Sequence, residues 1–281
     1  MTVFICINPQ KDIGFEVTKR ICDFLEKKKV GFKKFVLESR DTQICAGDVE
    51  GCDCVLVLGG DGTLMRVAKK CNGFNLPIIG VNTGHLGFLA QTGVEGLEDT
   101  LERLIKNEYI LEPRMLLKGA IVRNNEVIYE SEALNDVCIT RGGCLQILNF
   151  FVDVNDMPLK SYSADGVIIS TPTGSTGYNL SAGGPIVEPA ADMILLTPVA
   201  AHTFMNRSIL FNSKDKVTIV IGAPHDADVG QKVIASFDGN EGVELEKDDK
   251  VVIVKAQGHV KFIQMNNVNF LETLGRKLKE N

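Results

Sequence analysis

At 281 residues, 44% hydrophobic and 23% charged, the chain has the composition of a folded globular protein of one large or two ordinary domains, not of a disordered one. A net charge of −6 argues against a nucleic-acid binder, which would turn a basic surface to phosphates, yet leaves room for one small nucleotide site. No apolar run approaches the ~18–20 residues that span a bilayer. The opening Met1-Thr2-Val3-Phe4-Ile5-Cys6-Ile7 reads as a strand without the basic start or small-residue cleavage site of a secretory leader, so a cytoplasmic location is expected.

In chain order, Val3 to Ile7 is a short apolar strand, followed by a helical stripe of Val17, Ile21, Phe24 and Leu25 that ends near Lys27-Lys28-Lys29. Val55 to Leu58 is a second buried strand closed by glycines, and Leu64, Val67, Ala68 and Cys71 recur at helical spacing behind it. Pro77 to Val81 is a third strand, and Leu97, Leu101, Leu104 and Ile105 mark another amphipathic helix. Strands alternating with helices predict a mainly parallel sheet covered by helices.

After about Pro113 the period changes. Short β-rich runs follow one another: Leu116–Val122, Val127–Glu130, Val137–Thr140, Ile147–Val154, Gly166–Thr171, Ile194–Thr197, Val217–Ile221, Val233–Phe237, Val251–Lys255 and Val260–Gln264. Asn155-Asp156-Met157-Pro158 and Asp238-Gly239-Asn240 are turn signals between them. Such a series predicts an all-β sandwich or barrel. Leu271, Leu274 and Leu278 then return to a helical stripe. The expected organisation is an α/β domain over 1–112 and a β domain over 113–265, followed by a helical segment over 266–281. All eight cysteines lie at or before Cys144 without C-x-x-C spacing, which favours reduced, mostly buried thiols over a zinc clip.

Gly59-Gly60-Asp61-Gly62-Thr63 joins the second strand to its helix, the position at which α/β sheets bind phosphates. Glycines let the backbone approach phosphate oxygens, and the free N–H groups of a helix start are donors. A carboxylate in that setting is repelled by phosphate unless it binds a metal or takes a proton from an attacking hydroxyl, which are roles found in phosphoryl transfer. A tight turn with a capping aspartate is the plainer alternative. Downstream, Gly80-Val81-Asn82-Thr83-Gly84-His85-Leu86-Gly87-Phe88-Leu89 ends the third strand, Leu134-Asn135-Asp136 combines an amide with an acid, and Ala164 to Pro185 is a strand entering a loop dense in glycine and hydroxyls. Tyr178 in that loop offers a ring that can stack on a base.

Gly59–Thr63 resembles the phosphate loop shared by NAD kinases and by diacylglycerol and sphingosine kinases. The other three segments resemble NAD kinases specifically, with Asp136 where the family more often has glutamate and Gly177 where alanine is usual. The resemblance implies a Rossmann-like N-terminal domain, a β-sandwich C-terminal domain and a C-terminal helix returning to the first. It implies phosphorylation of the 2′-hydroxyl of the adenosine ribose of NAD, with ATP or polyphosphate as donor and Mg²⁺ as the divalent metal. Carried over to this chain, Gly59, Gly60, Gly62 and Thr63 would hold the donor's phosphates, and Asp61 would be the catalytic residue. Asp61, Gly62, Phe88, Asn135, Asp136, Asp165, Thr176, Gly177, Tyr178, Ser181 and His202 would contact NAD, with Asp165 reaching a neighbouring subunit of a homodimer or homotetramer. His202 follows Ala200-Ala201 where the family has Cys-Pro, and Ala235 to Asn240 matches a family turn expected to be structural. His85, His225 and His259 have no assigned partners. A lipid kinase sharing the Gly-Gly-Asp-Gly-Thr loop is the chief alternative, and a nucleotide-binding regulator without turnover a lesser one; no exposed amphipathic stretch offers the membrane-facing entrance that acyl chains need.

Overall fold

The structure, a computed structural model, describes residues 1–84, 87–143, 147–202, 206–222, 232–240, 242–265 and 270–279. The chain divides into two compact units, Met1–Pro113 with Val260–Asn281, and Arg114–His259.

In the first unit β1 (Thr2–Ile7) is followed by α1 (Glu16–Lys27), β2 (Gly31–Val36), the single turn α2 (Ala46–Val49), β3 (Cys54–Leu58) and α3 (Asp61–Cys71). The order continues with β4 (Ile78–Asn82), the two-residue β5 (Thr92–Gly93) and α4 (Leu97–Ile105). The strands pair in parallel in the order β2, β1, β3, β4. β3 and β4 are buried at every residue, as expected of strands covered on both faces. The stripes read from the sequence carry the packing: Ile21 and Leu25 of α1 and Leu97, Leu101 and Leu104 of α4 join Val3, Ile5, Leu56 and Ile79 in one core. Asp12 starts α1, its carboxylate accepting the N–H groups of Val17 at 3.0 Å and Thr18 at 2.9 Å.

The second unit takes in most of β6 (Ile110–Arg123), then β7 (Glu126–Ala133), β8 (Asp136–Arg141), β9 (Leu148–Val154), β10 (Met157–Ala164), β11 (Gly166–Ser170) and the short α5 (Tyr178–Ser181). After these come β12 (Met193–Val199), β13 (Ile209–Asn212), β14 (Val217–Ile221), β15 (Val233–Phe237), β16 (Val243–Leu245) and β17 (Lys250–Gln264). One antiparallel sheet runs β13, β12, β11, β8, β15, β16, and a second runs β10, β9, β14, β17, with β6 pairing both β17 and β7. Inward residues of both sheets, Ile139, Val167 and Phe237 from the first and Phe150, Ile219 and Ile253 from the second, form a single core, so the unit is a sandwich. Type I′ geometry closes its hairpins: φ is positive at both Asn155 and Asp156 and at both Asn124 and Asn125, an arrangement these residues tolerate best.

Several expectations need correction. Val251–Lys255 and Val260–Gln264 are not two strands but one, β17, pairing with β14 near its start and at Phe262 with Ile78 of β4 near its end. The C-terminal helix α6 (Phe270–Lys279) forms, but Leu271 is exposed and Thr273 takes the buried place, so the stripe is not the one the leucines suggest. The side chain of Leu278 lies outside the described residues, as do His85, Cys144 and His225. β2, β10, β13 and β16 carry too little hydrophobic alternation to have been read as strands.

Candidate active site

The phosphate-type turn is built around one glycine, Gly59, that cannot be replaced without displacement. Gly59 leaves β3 at φ +154°, and a Cβ there would come within 2.8 Å of the Thr63 Cβ. Thr63 is buried beneath it, its hydroxyl accepting the Asn8 side-chain amide at 2.9 Å, so Asn8 at the end of β1 props the turn from below. Gly60 is the extended N-cap of α3, and its carbonyl accepts the Thr63 and Leu64 N–H groups at 2.9 and 3.1 Å. Open space surrounds the Cβ positions of Gly60 and Gly62, which leaves their backbone approachable.

Asp61 occupies the first turn of α3, where negative charge is favoured by the helix dipole. Its carboxylate does not swing free. Oδ2 accepts the Phe88 N–H at 2.7 Å and Oδ1 the Leu89 N–H at 3.3 Å. The chain comes close enough because residue 87 is glycine: a Cβ on Gly87 would lie 2.1 Å from Oδ2. The Gly59 turn and the segment after β4 are thereby one structure. Phe88 is half-buried, its ring 6.2 Å from that of Phe270 at the start of α6.

In the second unit the two other motifs also interlock. The Asn135 carbonyl accepts Thr171 N–H at 2.8 Å and the Ser170 hydroxyl at 3.1 Å, and a Cβ on Gly174 would lie 2.1 Å from that carbonyl. The Cβ position of Gly177 is 3.2 Å from the Asn135 side-chain amide, so an alanine there would press on it. Asn179 is a fully buried hub, its amide donating to the Ser175 and Pro185 carbonyls and accepting the Thr197 hydroxyl at 2.6 Å. On this frame Tyr178 stands 42% exposed, a ring held out for contact on a rigid base. Thr176 is half-buried and Ser181 exposed beside it.

Asp136 is the unusual group. It is 7% exposed, and burial, followed by the charge of Asp238, pushes its carboxyl up to about 7. Asp238, expected only to shape a turn, accepts the N–H groups of Leu134, Asn135 and Asp136. Asp165 forms an ion pair with Arg141 at 3.0 Å within the same chain. His202 is tied through its backbone N–H to the Ser163 carbonyl at 2.8 Å, with its side chain exposed. Sequence reasoning missed Asn8, Asn179 and Asp238 as supports; each is a short polar residue at the end of a strand or inside a loop motif, where turn chemistry explains it equally well.

A parallel α/β unit with a clamped carboxylate at a helix start, joined to a sandwich whose loops present amides, hydroxyls and an aromatic ring, has the build of a nucleotide-dependent phosphotransferase. Residues 3–109 match the ATP-NAD kinase N-terminal domain and residues 134–265 the ATP-NAD kinase C-terminal domain. The NAD kinase of Agathobacter rectalis is 39% identical over 99% of both chains, and that of Lachnospira eligens 37% identical over 98% of this chain and 99% of its own. An Archaeoglobus fulgidus NAD kinase, solved in complex with ATP, superposes with a TM-score of 0.77 at 25% identity, covering 98% of each chain. Yeast NADH kinase shares the fold, with a TM-score of 0.87 at 21% identity over 100% of this chain and 88% of that one. The chain belongs to the NAD kinase family, phosphotransferases with an alcohol group as acceptor. The lipid-kinase alternative finds no support in these relatives.

Proposed function

We propose that the protein transfers the γ-phosphoryl group of ATP to the 2′-hydroxyl of the adenosine ribose of NAD, giving NADP and ADP. The reading rests above all on the Asp61 carboxylate at the start of α3, fixed by the backbone N–H groups of Phe88 and Leu89. The Gly59, Gly60 and Gly62 backbone, with Thr63 at the helix start, receives the donor's phosphates. Phe88, Asn135, Asp136, Thr176, Gly177, Tyr178, Ser181 and His202 hold NAD. Asp61 aligns the 2′-hydroxyl and takes its proton as the new O–P bond forms and the bond to the ADP oxygen breaks. A hydroxyl is far more basic than a carboxylate, so the proton moves late and alignment is the larger contribution.

Mg²⁺ enters as part of the substrate, screening the phosphates of ATP. Among the described residues no three His, Cys, Asp or Glu side chains gather into a cage. An ion carried by phosphates needs no such cage, because Mg²⁺ bound with nucleotides uses one or two carboxylates at most. The expected assembly is a homodimer or homotetramer in which Asp165, partly exposed beside Arg141, completes a neighbouring subunit's NAD site. Neither nucleic acid nor membrane is a partner in this scheme. The chain is net acidic, and no helix in the described residues is long and apolar enough to cross a bilayer. The proposed compartment is the reducing cytoplasm, which suits the seven described cysteines, all free thiols and six of them buried.

The test is direct: purified protein with Mg²⁺, ATP and NAD, the product read by a strictly NADP-dependent dehydrogenase. NADP formation that requires both substrates supports the proposal, and NAD binding without NADP would convert the protein into a sensor.

A further inference from the structure

The turn that ends β15 does more than reverse the chain. Asp238 Oδ1 accepts the Asn135 N–H at 2.7 Å and the Asp136 N–H at 3.2 Å, while Oδ2 accepts the Leu134 N–H at 2.9 Å. In return the Asp238 N–H donates to the Asp136 carbonyl at 3.0 Å. Bonds from backbone N–H groups to a carboxylate are about twice as strong as neutral ones, so three in a row fix both the path and the orientation of these residues. The same carboxylate reaches Asp136 through space. The groups that face the Asp136 carboxyl are Asp238 from the β15 turn, Cys138 further along β8 and Tyr178 from α5. Burial pushes the Cys138 thiol up to about 12 and raises the Tyr178 hydroxyl, so both stay neutral near pH 7 and Asp238 is the charge that Asp136 meets.

We propose that Asp238 is a positioning residue for NAD recognition, fixing the backbone of Asn135 and Asp136 and governing, by its charge, how readily Asp136 accepts a ribose hydroxyl. The inference rests on the reading that Asn135 and Asp136 hold NAD. It goes beyond that reading by giving the site a pH dependence. Ionised, Asp136 accepts at both oxygens in charge-assisted bonds; protonated, it keeps only part of that capacity and loses the charge. With its carboxyl near 7, the KM for NAD rises as pH falls through that value.

Asp238→Asn tests both parts, and the left-handed backbone at this position, φ 55°, is one that asparagine adopts. The variant loses one of two acceptor oxygens and the charge. The KM for NAD is expected to rise on the order of 10-fold, with kcat and the KM for ATP changing less. Its acid limb should move to lower pH, because the like charge beside Asp136 is gone. Asp238→Glu keeps the charge and shifts the oxygens, so it should raise the KM for NAD with the limb left in place. It also serves if Asp238→Asn does not fold. An unchanged KM for NAD in both variants, or a limb that stays put in Asp238→Asn, overturns the proposal. Asn135→Ala separates the two levels. If it leaves the KM for NAD untouched, the NAD assignment itself fails. If it raises that KM while neither Asp238 variant does, only the positioning role is lost.

Discussion

The Phe88 amide donates to Oδ2 of Asp61 at 2.7 Å, and this bond sets the orientation of the one carboxylate at the phosphate-type turn. Because the backbone, and not a flexible side chain, holds Asp61, removing its charge need not disturb the shape around it. Asp61→Asn retains an oxygen for one of the two N–H donors and cannot take a proton from a hydroxyl. Turnover should fall by ~10²-fold or more while NAD still binds. Steady-state NADP formation paired with calorimetric titration of NAD measures both quantities. Near-normal kcat would remove Asp61 from the chemistry.

Gly87 is the hidden partner in the same arrangement. Its backbone is not in the left-handed region, so alanine is barred by space alone: the added Cβ would lie 2.1 Å from Oδ2 of Asp61. The carboxylate has to move, since the alternative is to shift the backbone of both segments. Gly87→Ala should therefore lower kcat by at least about 10-fold, reorientation of a catalytic group by an ångström being enough for such losses. The melting temperature should change little. A large fall in melting temperature with kcat per folded molecule intact would show that the segment yields instead of Asp61.

How much of this was legible beforehand follows from what kind of signal each part leaves. The buried strands β1, β3 and β4 and the stripes of α1, α3 and α4 appear in the sequence because burial selects apolar residues at a fixed period. The motif residues Asp61, Asn135 and Tyr178 could be nominated through their resemblance to a family and their chemistry. The clamps could not: Phe88 and Leu89 hold Asp61 by backbone N–H groups, which have no residue type, and Gly87 matters only for the Cβ it lacks. Asp238 was legible as a turn residue, and its positive φ bears that out, but its partners lie 102 to 104 residues away in sequence. The edge strands β2 and β16 are short and half-exposed, so no hydrophobic alternation records them.

Asp136 has a cost that stability measurements should expose. Its carboxyl is about 7 in the folded protein against an ordinary 3.8. Between those values the unfolded chain has released a proton that the folded chain keeps, so stability falls as pH rises from about 4 to about 7 and levels off above. Asp136→Asn removes that slope. The ligand-free variant should melt higher than the parent at pH 8, its stability greater by on the order of a few kcal/mol at about 1.4 kcal/mol per pKa unit. The gap should close toward pH 4. Calorimetric melts at pH 4.5 and 8 decide the matter, and a gap of equal size at both would mean that Asp136 is ionised when buried.

Tyr162 offers a comparison in which function should be indifferent. It is 1% exposed within the sandwich core, and its hydroxyl is buried with no hydrogen-bond partner among the described residues. The Lys160 ammonium lies 4.7 Å from the ring centroid, an attraction to the π face that phenylalanine would retain. Folding strips the hydroxyl of its water without replacing the bond, at a cost of roughly 1–3 kcal/mol. Tyr162→Phe keeps the ring and discards the liability. The variant should melt roughly 2–4 °C higher for each kcal/mol recovered, and its rate of NADP formation should be unaltered. A lower melting temperature would instead reveal a bound water serving the hydroxyl, because only a bond that exists can be lost.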